Sequence, residues 1–354
     1  MLKILHITDY SMIGGIETYI KEVAELEKSE NQVEICVLNL KNNYLKSEKI
    51  TLLDLTKYNI LQKYFEIKKI LKKNRYDLIY VHSLKSKIYL SFLKIKNLNV
   101  NYIEHGVYYG RRKYLQSIRK FIFNNLVYKY PNKIICVQEN VRMSIINNFP
   151  NFLSKTITIE NGINLEKFKF NYIPKAKGKR KIIAVTARLV QEKGIDILIE
   201  ALALLREKDI KLKIIGTGIL KEELLQLVRK RKLEKIVEFL GERNDIKNIL
   251  QGVDFYIQPS RVEGFGLALL EAITMGIPVI ISDIAAFRRL VNLDNYEYFF
   301  ESENIHELYE KIDKMLNEES QNLEYLSYQL RRIGKNYSIE NTVNSLHKEC
   351  LKNG

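Results

Sequence analysis

From one end of the chain to the other, short apolar runs rich in β-branched residues alternate with longer stretches of helical periodicity, and this rhythm limits the fold more than any other feature. Strands are expected at 3–8, 32–38, 78–82, 102–104, 133–137, 156–160, 181–186, 211–215, 237–240, 255–258 and 279–282. Helical patterns fall between most of them, as at 17–28, 64–74, 194–208, 220–232 and 268–276. Parallel strands need crossovers of about this length, so the class is α/β with doubly wound sheets covered on both faces. The rhythm restarts after 168–180, where periodicity is lost and Pro174 and Gly178 interrupt the chain. With 354 residues there is room for two ordinary domains. They are placed at 1–168 and 169–336, followed by a last helix within 337–354 that can pack back on the first domain. Two such domains can leave a cleft where the carboxyl ends of their sheets face each other, the usual place for a ligand.

Composition narrows the function classes. No apolar run reaches the roughly 18 residues of a membrane span, and the first residues read as a strand and not as a signal peptide, so a cytoplasmic protein is expected. Cys36, Cys136 and Cys350 are widely spaced, with no His or Cys at ligand spacing, and imply neither a disulfide framework nor a zinc site. The net charge of +15 is uneven. Residues 51–150 carry 19 Lys and Arg against 5 Asp and Glu, whereas residues 251–354 carry 10 against 16.

Two carboxylates, Glu263 and Glu271, stand eight positions apart, one in a glycine-bearing loop and one inside the helix that the loop opens. Phe265, Gly266 and Leu267 lie at that helix start, where free main-chain N–H groups suit an anion. The helix is otherwise apolar from Leu267 to Ile273, so Glu271 requires a polar partner. An ordinary amphipathic helix with two solvated glutamates is the structural alternative. Arg188 and Lys193 straddle the loop after strand 181–186, and a guanidinium fork with an ammonium suits a diphosphate. Gly14 and Gly15 separate the first strand from its helix and would let a phosphate approach. Neither G-x-G-x-x-G nor a P-loop is present. His82 and His105 each follow a strand, and His105, with Gly106 after it, has the more site-like setting.

Between 57 and 123, lysines and arginines interleave with aromatic rings: Lys63, Lys68, Lys69, Lys72 and Lys73 on one helix, then Arg111, Arg112, Lys113, Arg119 and Lys120 among tyrosines and phenylalanines. These ingredients fit an anionic membrane surface, RNA, or a solvated face without a partner.

In order along the chain, Gly14-Gly15, His105-Gly106, Asn161-Gly162, Arg188 with Lys193-Gly194, and Glu263-Gly-Phe-Gly with Glu271 and Gly276-Ile-Pro-Val resemble family 4 of the retaining glycosyltransferases, which have the GT-B fold. The resemblance spans nearly the whole sequence. Its most specific parts are the E-x7-E segment and Arg188-x4-Lys193. It implies that Glu263 contacts the donor sugar and Glu271 the ribose, and that Arg188 and Lys193 bind the diphosphate. Gly14 and Gly15 would lie near the phosphates, His105 near the transferred sugar and Arg243 near the base. Amides at Phe265, Gly266 and Leu267 would complete the donor site. The sequence departs at Thr186-Ala187, where the family more often has glycine, and at Asn164, where it often has aspartate.

The implied reaction moves a hexosyl group from a nucleotide sugar, expected to be UDP-linked, to a saccharide acceptor on a polyprenyl carrier, in assembly of a bacterial surface polysaccharide. The resemblance implies no metal and no cofactor beyond the donor. Peripheral contact with anionic membrane through 57–123, at the inner face of the cell membrane, would explain the basic first half without nucleic acid. A nucleotide-sugar epimerase or hydrolase of the same fold is the competing enzyme. A nucleic-acid-binding protein is the alternative of another class.

Overall fold

The computed structural model describes residues 1–11, 14–40, 44–47, 50–93, 95, 97–108, 120–175, 180–205 and 209–351. The chain forms two compact units. The first comprises Met1–Gly162 with Ser338–Gly354, and the second Ile163–Tyr337.

In the first unit, seven parallel strands form a sheet in the order β3-β2-β1-β4-β5-β6-β7. They are β1 (Lys3–Ser11), β2 (Gln32–Leu40), β3 (Thr51–Asp54), β4 (Leu78–Val81), β5 (Val100–Glu104), β6 (Lys133–Cys136) and β7 (Thr156–Thr158). Every residue of β4 is buried, as expected of a strand covered on both faces. Helices α1 (Gly15–Glu27), α2 (Ile60–Lys73), α3 (Leu84–Leu93) and α4 (Glu139–Asn148) lie between strands. Asn59 caps α2, accepting from the Gln62 amide while the Gln62 side chain accepts from the Asn59 amide.

The second sheet has six parallel strands in the order β10-β9-β8-β11-β12-β13. These are β8 (Lys181–Thr186), β9 (Ile210–Ile215), β10 (Val237–Gly241), β11 (Phe255–Gln258), β12 (Val279–Ser282) and β13 (Phe299–Phe300). Its helices are α5 (Ile195–Leu204), α6 (Lys221–Lys230), α7 (Ile246–Leu250), α8 (Leu267–Thr274), α9 (Ala285–Leu290), α10 (Ile305–Asn317) and α11 (Ser320–Gly334).

The last helix, α12 (Ile339–Leu351), belongs to the first unit. Thr342 Oγ1 donates to the Glu160 carbonyl at 2.9 Å, and the Cys350 carbonyl accepts from Asn99 Nδ2 at 2.8 Å. In both units the strand order reverses beside the first strand, between β1 and β4 and between β8 and β11. Ligands of open α/β sheets bind at the carboxyl ends of such strands.

All eleven expected strands are present. The two additional ones, β3 and β13, are edge strands of four and two residues, too short to show a period. Lys63, expected with the other lysines of α2 on a basic surface, is a correction to that reading. It is buried and donates to Asn39 Oδ1 at 3.0 Å, so it bridges to β2. Arg111, Arg112, Lys113 and Arg119 lie outside the described residues. Among the described residues no helix is long and apolar enough to cross a membrane.

Candidate functional site

At the switch point of the second sheet, the loop after β8 and the loop after β11 are fastened to each other. Gly194 ends the first loop with φ +64°, and a side-chain carbon there would lie 1.9 Å from the Pro259 carbonyl oxygen. Only glycine permits so close an approach in this left-handed conformation. Arg261 locks the same junction. Its amide donates to the Glu192 carbonyl at 2.8 Å, and its guanidinium forks onto Asp196 at 2.8 and 2.7 Å and reaches Glu303 and the Gln191 carbonyl.

This packing brings Lys193 to Glu263, with Nζ and Oε1 2.5 Å apart and both side chains largely shielded from solvent. The same carboxylate oxygen accepts from Ser260 Oγ at 3.1 Å. Behind Ser260 runs a line of donors: Gln258 Nε2 to Ser260 Oγ at 2.9 Å, Tyr256 OH to Gln258 Oε1 at 2.7 Å, and the Thr186 amide to Tyr256 OH at 3.1 Å. Every hydrogen points towards Glu263, which polarises the line and holds the carboxylate in one place. Sequence reading missed Tyr256, Gln258 and Ser260. Their i, i+2, i+4 spacing on one face of a buried strand was the available signal.

Arg188 stands in the same loop as Lys193 but is exposed, and its guanidinium makes no hydrogen bond or ion pair among the described residues. Its backbone is fixed from both sides, by the Ala187 amide on the Ile215 carbonyl at 2.9 Å and the Leu189 amide on the Thr217 carbonyl at 3.0 Å. The result is a held but unspent cation in the loop that brings Lys193 to Glu263.

Gly266 precedes α8 with φ +100°, leaving the N–H groups of Leu267 and the next residues at the open helix end. Phe265 is itself core, packed edge-on against Tyr337 with centroids 5.7 Å apart, so only its main chain is available to a ligand. Glu271 is buried on α8 among Leu269, Leu270, Ala272 and Ile273. Arg243, past edge strand β10, forks onto Asp245 at 2.8 and 2.7 Å and is two strands away from β8.

In the first unit, Gly14 and Gly15 open α1 at the carboxyl end of β1. Gly14 is fully extended, a conformation open to any residue, so its backbone does not demand glycine. Its side-chain position is instead occupied by Glu17, whose Oε2 lies 2.7 Å from where a carbon would be, so the first turn of α1 already holds a carboxylate. Around Gly15 the space is open. His105, just past β5, lies edge-on to Tyr19 and within hydrogen-bonding distance, 3.1 Å, of His82. Burial and the nearby Lys87 ammonium hold the His105 imidazole down to about 3, so it is neutral.

Residues 167–333 match the family described as "Glycosyl transferases group 1", and residues 13–167 match "Glycosyltransferase Family 4". The UDP-Gal:alpha-D-GlcNAc-diphosphoundecaprenol alpha-1,3-galactosyltransferase of Escherichia coli is 30% identical over 278 residues, spanning 72% of this chain and 71% of that protein. The chain belongs to the group 1 glycosyl transferases. The O-antigen biosynthesis glycosyltransferase WclY of Escherichia coli is 28% identical across 76% of this chain and 73% of its own length. The structure of Anabaena HepE in complex with UDP-glucose superposes with a TM-score of 0.85, covering 99% of both chains at 18% identity. The two parallel-sheet units therefore make a GT-B glycosyltransferase.

Proposed function

We propose that this glycosyltransferase is a retaining family 4 enzyme that moves a hexosyl group from a UDP-sugar to a lipid-linked saccharide in bacterial surface polysaccharide assembly. The observation that carries the reading is the Lys193–Glu263 pair at the switch point of the second sheet, held by a loop in which the exposed Arg188 guanidinium makes no ion pair among the described residues. Arg188 and Lys193 would neutralise the diphosphate, Glu263 would hold sugar hydroxyls and Glu271 the ribose diol. The amides of Phe265, Gly266 and Leu267 at the start of α8 would meet the phosphate. Gly15 offers open space for the donor, whereas at Gly14 the Glu17 carboxylate must be accommodated.

In the reaction, the acceptor oxygen bonds to the anomeric carbon as its bond to the diphosphate breaks. The acceptor's proton passes to a departing phosphate oxygen on the same face, giving UDP and a glycoside of unchanged configuration. The protein's part is positioning and charge stabilisation by two fixed cations, with no metal required. The nucleotide and lipid carrier in the name of the E. coli galactosyltransferase, and the UDP-glucose bound by HepE, support this choice of substrates.

The test is transfer from a panel of UDP-hexoses to a polyprenyl-diphosphate saccharide, with the anomer read by NMR. One donor should be used and its configuration retained. Glu271→Ala should weaken donor binding by about ten- to a hundredfold, as loss of a hydrogen-bonded charge does. Equal donor consumption with and without acceptor would point to the hydrolase or epimerase instead.

A lipid-linked acceptor would bring the enzyme to a membrane surface, and α2 supports this reading. Leu61, Phe65, Lys69 and Lys72 follow one another at helical spacing on its exposed side, with Ile60 and Lys73 beside them. Leu61 and Phe65 are 71% and 61% exposed, an apolar end with a basic continuation that suits an anionic interface. Phe65→Glu with Leu61→Glu should lower co-sedimentation with anionic vesicles at least about tenfold, each side chain contributing on the order of 1.5 kcal/mol or more. Unaltered binding would remove α2 from the contact.

A further inference from the structure

Tyr256, Gln258 and Ser260 stand at every second position along β11 and its exit, and all three are buried. They join two loops of the second unit. At one end is the Thr186 amide, two residues before Arg188 and 3.1 Å from Tyr256 OH; at the other is Glu263 Oε1, 3.1 Å from Ser260 Oγ. Between these ends Tyr256 OH lies 2.7 Å from Gln258 Oε1, and Gln258 Nε2 lies 2.9 Å from Ser260 Oγ. Ser260 is held from a third side as well, its carbonyl accepting from Ser282 Oγ of β12 at 2.5 Å. Phe255 and Ile257, the alternate residues of β11, are buried and apolar, so the strand needs no polar row for its own packing.

A main-chain N–H can only donate, and this fixes the line from its Thr186 end. The phenol oxygen accepts there. Burial raises the Tyr256 pKa, so the phenol keeps its hydrogen and passes it to Gln258 Oε1; the other acceptor in reach, the Thr186 carbonyl, is farther away at 3.4 Å. With Oε1 engaged, the Gln258 amide turns Nε2 to Ser260, whose oxygen accepts and whose hydrogen goes on to Glu263. Without the phenol the amide would be free to turn over, take up the Ser260 hydrogen itself and withdraw it from the carboxylate. Glu263 Oε1 thus has two partners of different kinds. Lys193 is a point charge on a flexible four-carbon stem, and in the proposed reaction it also serves the diphosphate. Ser260 is uncharged, sealed within the fold and aimed in one direction.

We propose that Tyr256 and Gln258 are positioning residues of the donor site, which aim the Ser260 hydroxyl at Glu263 and keep this carboxylate on the sugar while Lys193 is engaged by the diphosphate. The proposal rests on the reading of Glu263 as the contact of the donor sugar, and a Glu263→Gln enzyme separates the two.

In the full chain, kcat/KM is measured for the UDP-hexose that the donor panel selects and for its 3-deoxy and 4-deoxy forms, with inhibition by UDP as the measure of nucleotide binding alone. Tyr256→Phe and Gln258→Leu should each lower kcat/KM for the UDP-hexose about tenfold, the effect of one lost or misdirected hydrogen bond. Discrimination against one of the deoxy sugars should shrink by the same factor, while the inhibition constant of UDP stays as it was. Damage to the fold alone would lower all donors together and weaken UDP as well. The double variant should lose no more than Gln258→Leu, since both act through Ser260. Discrimination that is unchanged in these variants but lost in Glu263→Gln, or losses that simply add, would overturn the proposal. Discrimination that survives Glu263→Gln would take Glu263 off the sugar, and the proposal with it. Should either variant not fold, Ser260→Ala removes the same hydrogen bond with the loss of one atom and should shift the discrimination alike.

Discussion

Arg188→Ala is expected to lower kcat by about 10² or more, the loss seen when one preorganised donor to a developing oxyanion is removed. Thermal stability should meanwhile change by no more than about 0.5 kcal/mol, because an exposed side chain without partners contributes little to folding. That separation follows from the structure. Arg188 is exposed, its guanidinium makes no hydrogen bond or ion pair among the described residues, and it stands on a backbone fixed by hydrogen bonds to the Ile215 and Thr217 carbonyls. Lys193 differs, since its loss would also leave the shielded Glu263 carboxylate without its cation and so mix stability with activity. Arg188→Lys should recover part of the rate, as charge returns but the bidentate fork does not. Steady-state kinetics with thermal melts of the same preparations checks all three statements. An Arg188→Ala enzyme with unchanged kcat would take the guanidinium out of the reaction.

The sheets were legible in the sequence because buried parallel strands read as short, continuous apolar runs, as 78–82 and 279–282 did. Arg188, Lys193, Glu263 and Glu271 were legible because glycines and charged residues interrupt apolar runs at strand ends. The edge strands β3 and β13 were not, since Thr51–Asp54 has no buried residue and Phe299–Phe300 is only two residues long. Lys63 was misread because composition shows how many lysines a helix has and not which one turns inward. The supports of the site were hidden for a different reason. Tyr256, Gln258 and Ser260 act through contacts within the fold, and His82 and His105 are joined to His6, Glu27 and His347, which lie on β1, α1 and α12, with Glu27 and His347 320 positions apart in the chain. Only the register of parallel strands places His6 beside Tyr80 and so within reach of His82.

The second large effect is expected from a single added carbon. Gly194→Ala should destabilise the second unit by about 2–5 kcal/mol, combining the penalty of a left-handed alanine with overpacking against backbone. The obstacle is the Pro259 carbonyl oxygen, 1.9 Å from the new carbon, and no side-chain rotation can relieve it. Pro259 cannot easily retreat, for Gln258 and Ser260 on either side are tied to Tyr256 and Glu263. Relief must come from parting the two loops, which separates Lys193 from Glu263 and dismantles the donor site together with the fold. Gly241→Ala supplies the control: its φ is +68° but nothing lies within 4 Å of the added carbon, so only the conformational penalty of about 1–2 kcal/mol should appear. Denaturant midpoints of the two variants measure the difference. If they coincide, the approach of the loop to Pro259 is not what requires glycine at 194, and the fastening of Lys193 to Glu263 must depend on Arg261 alone.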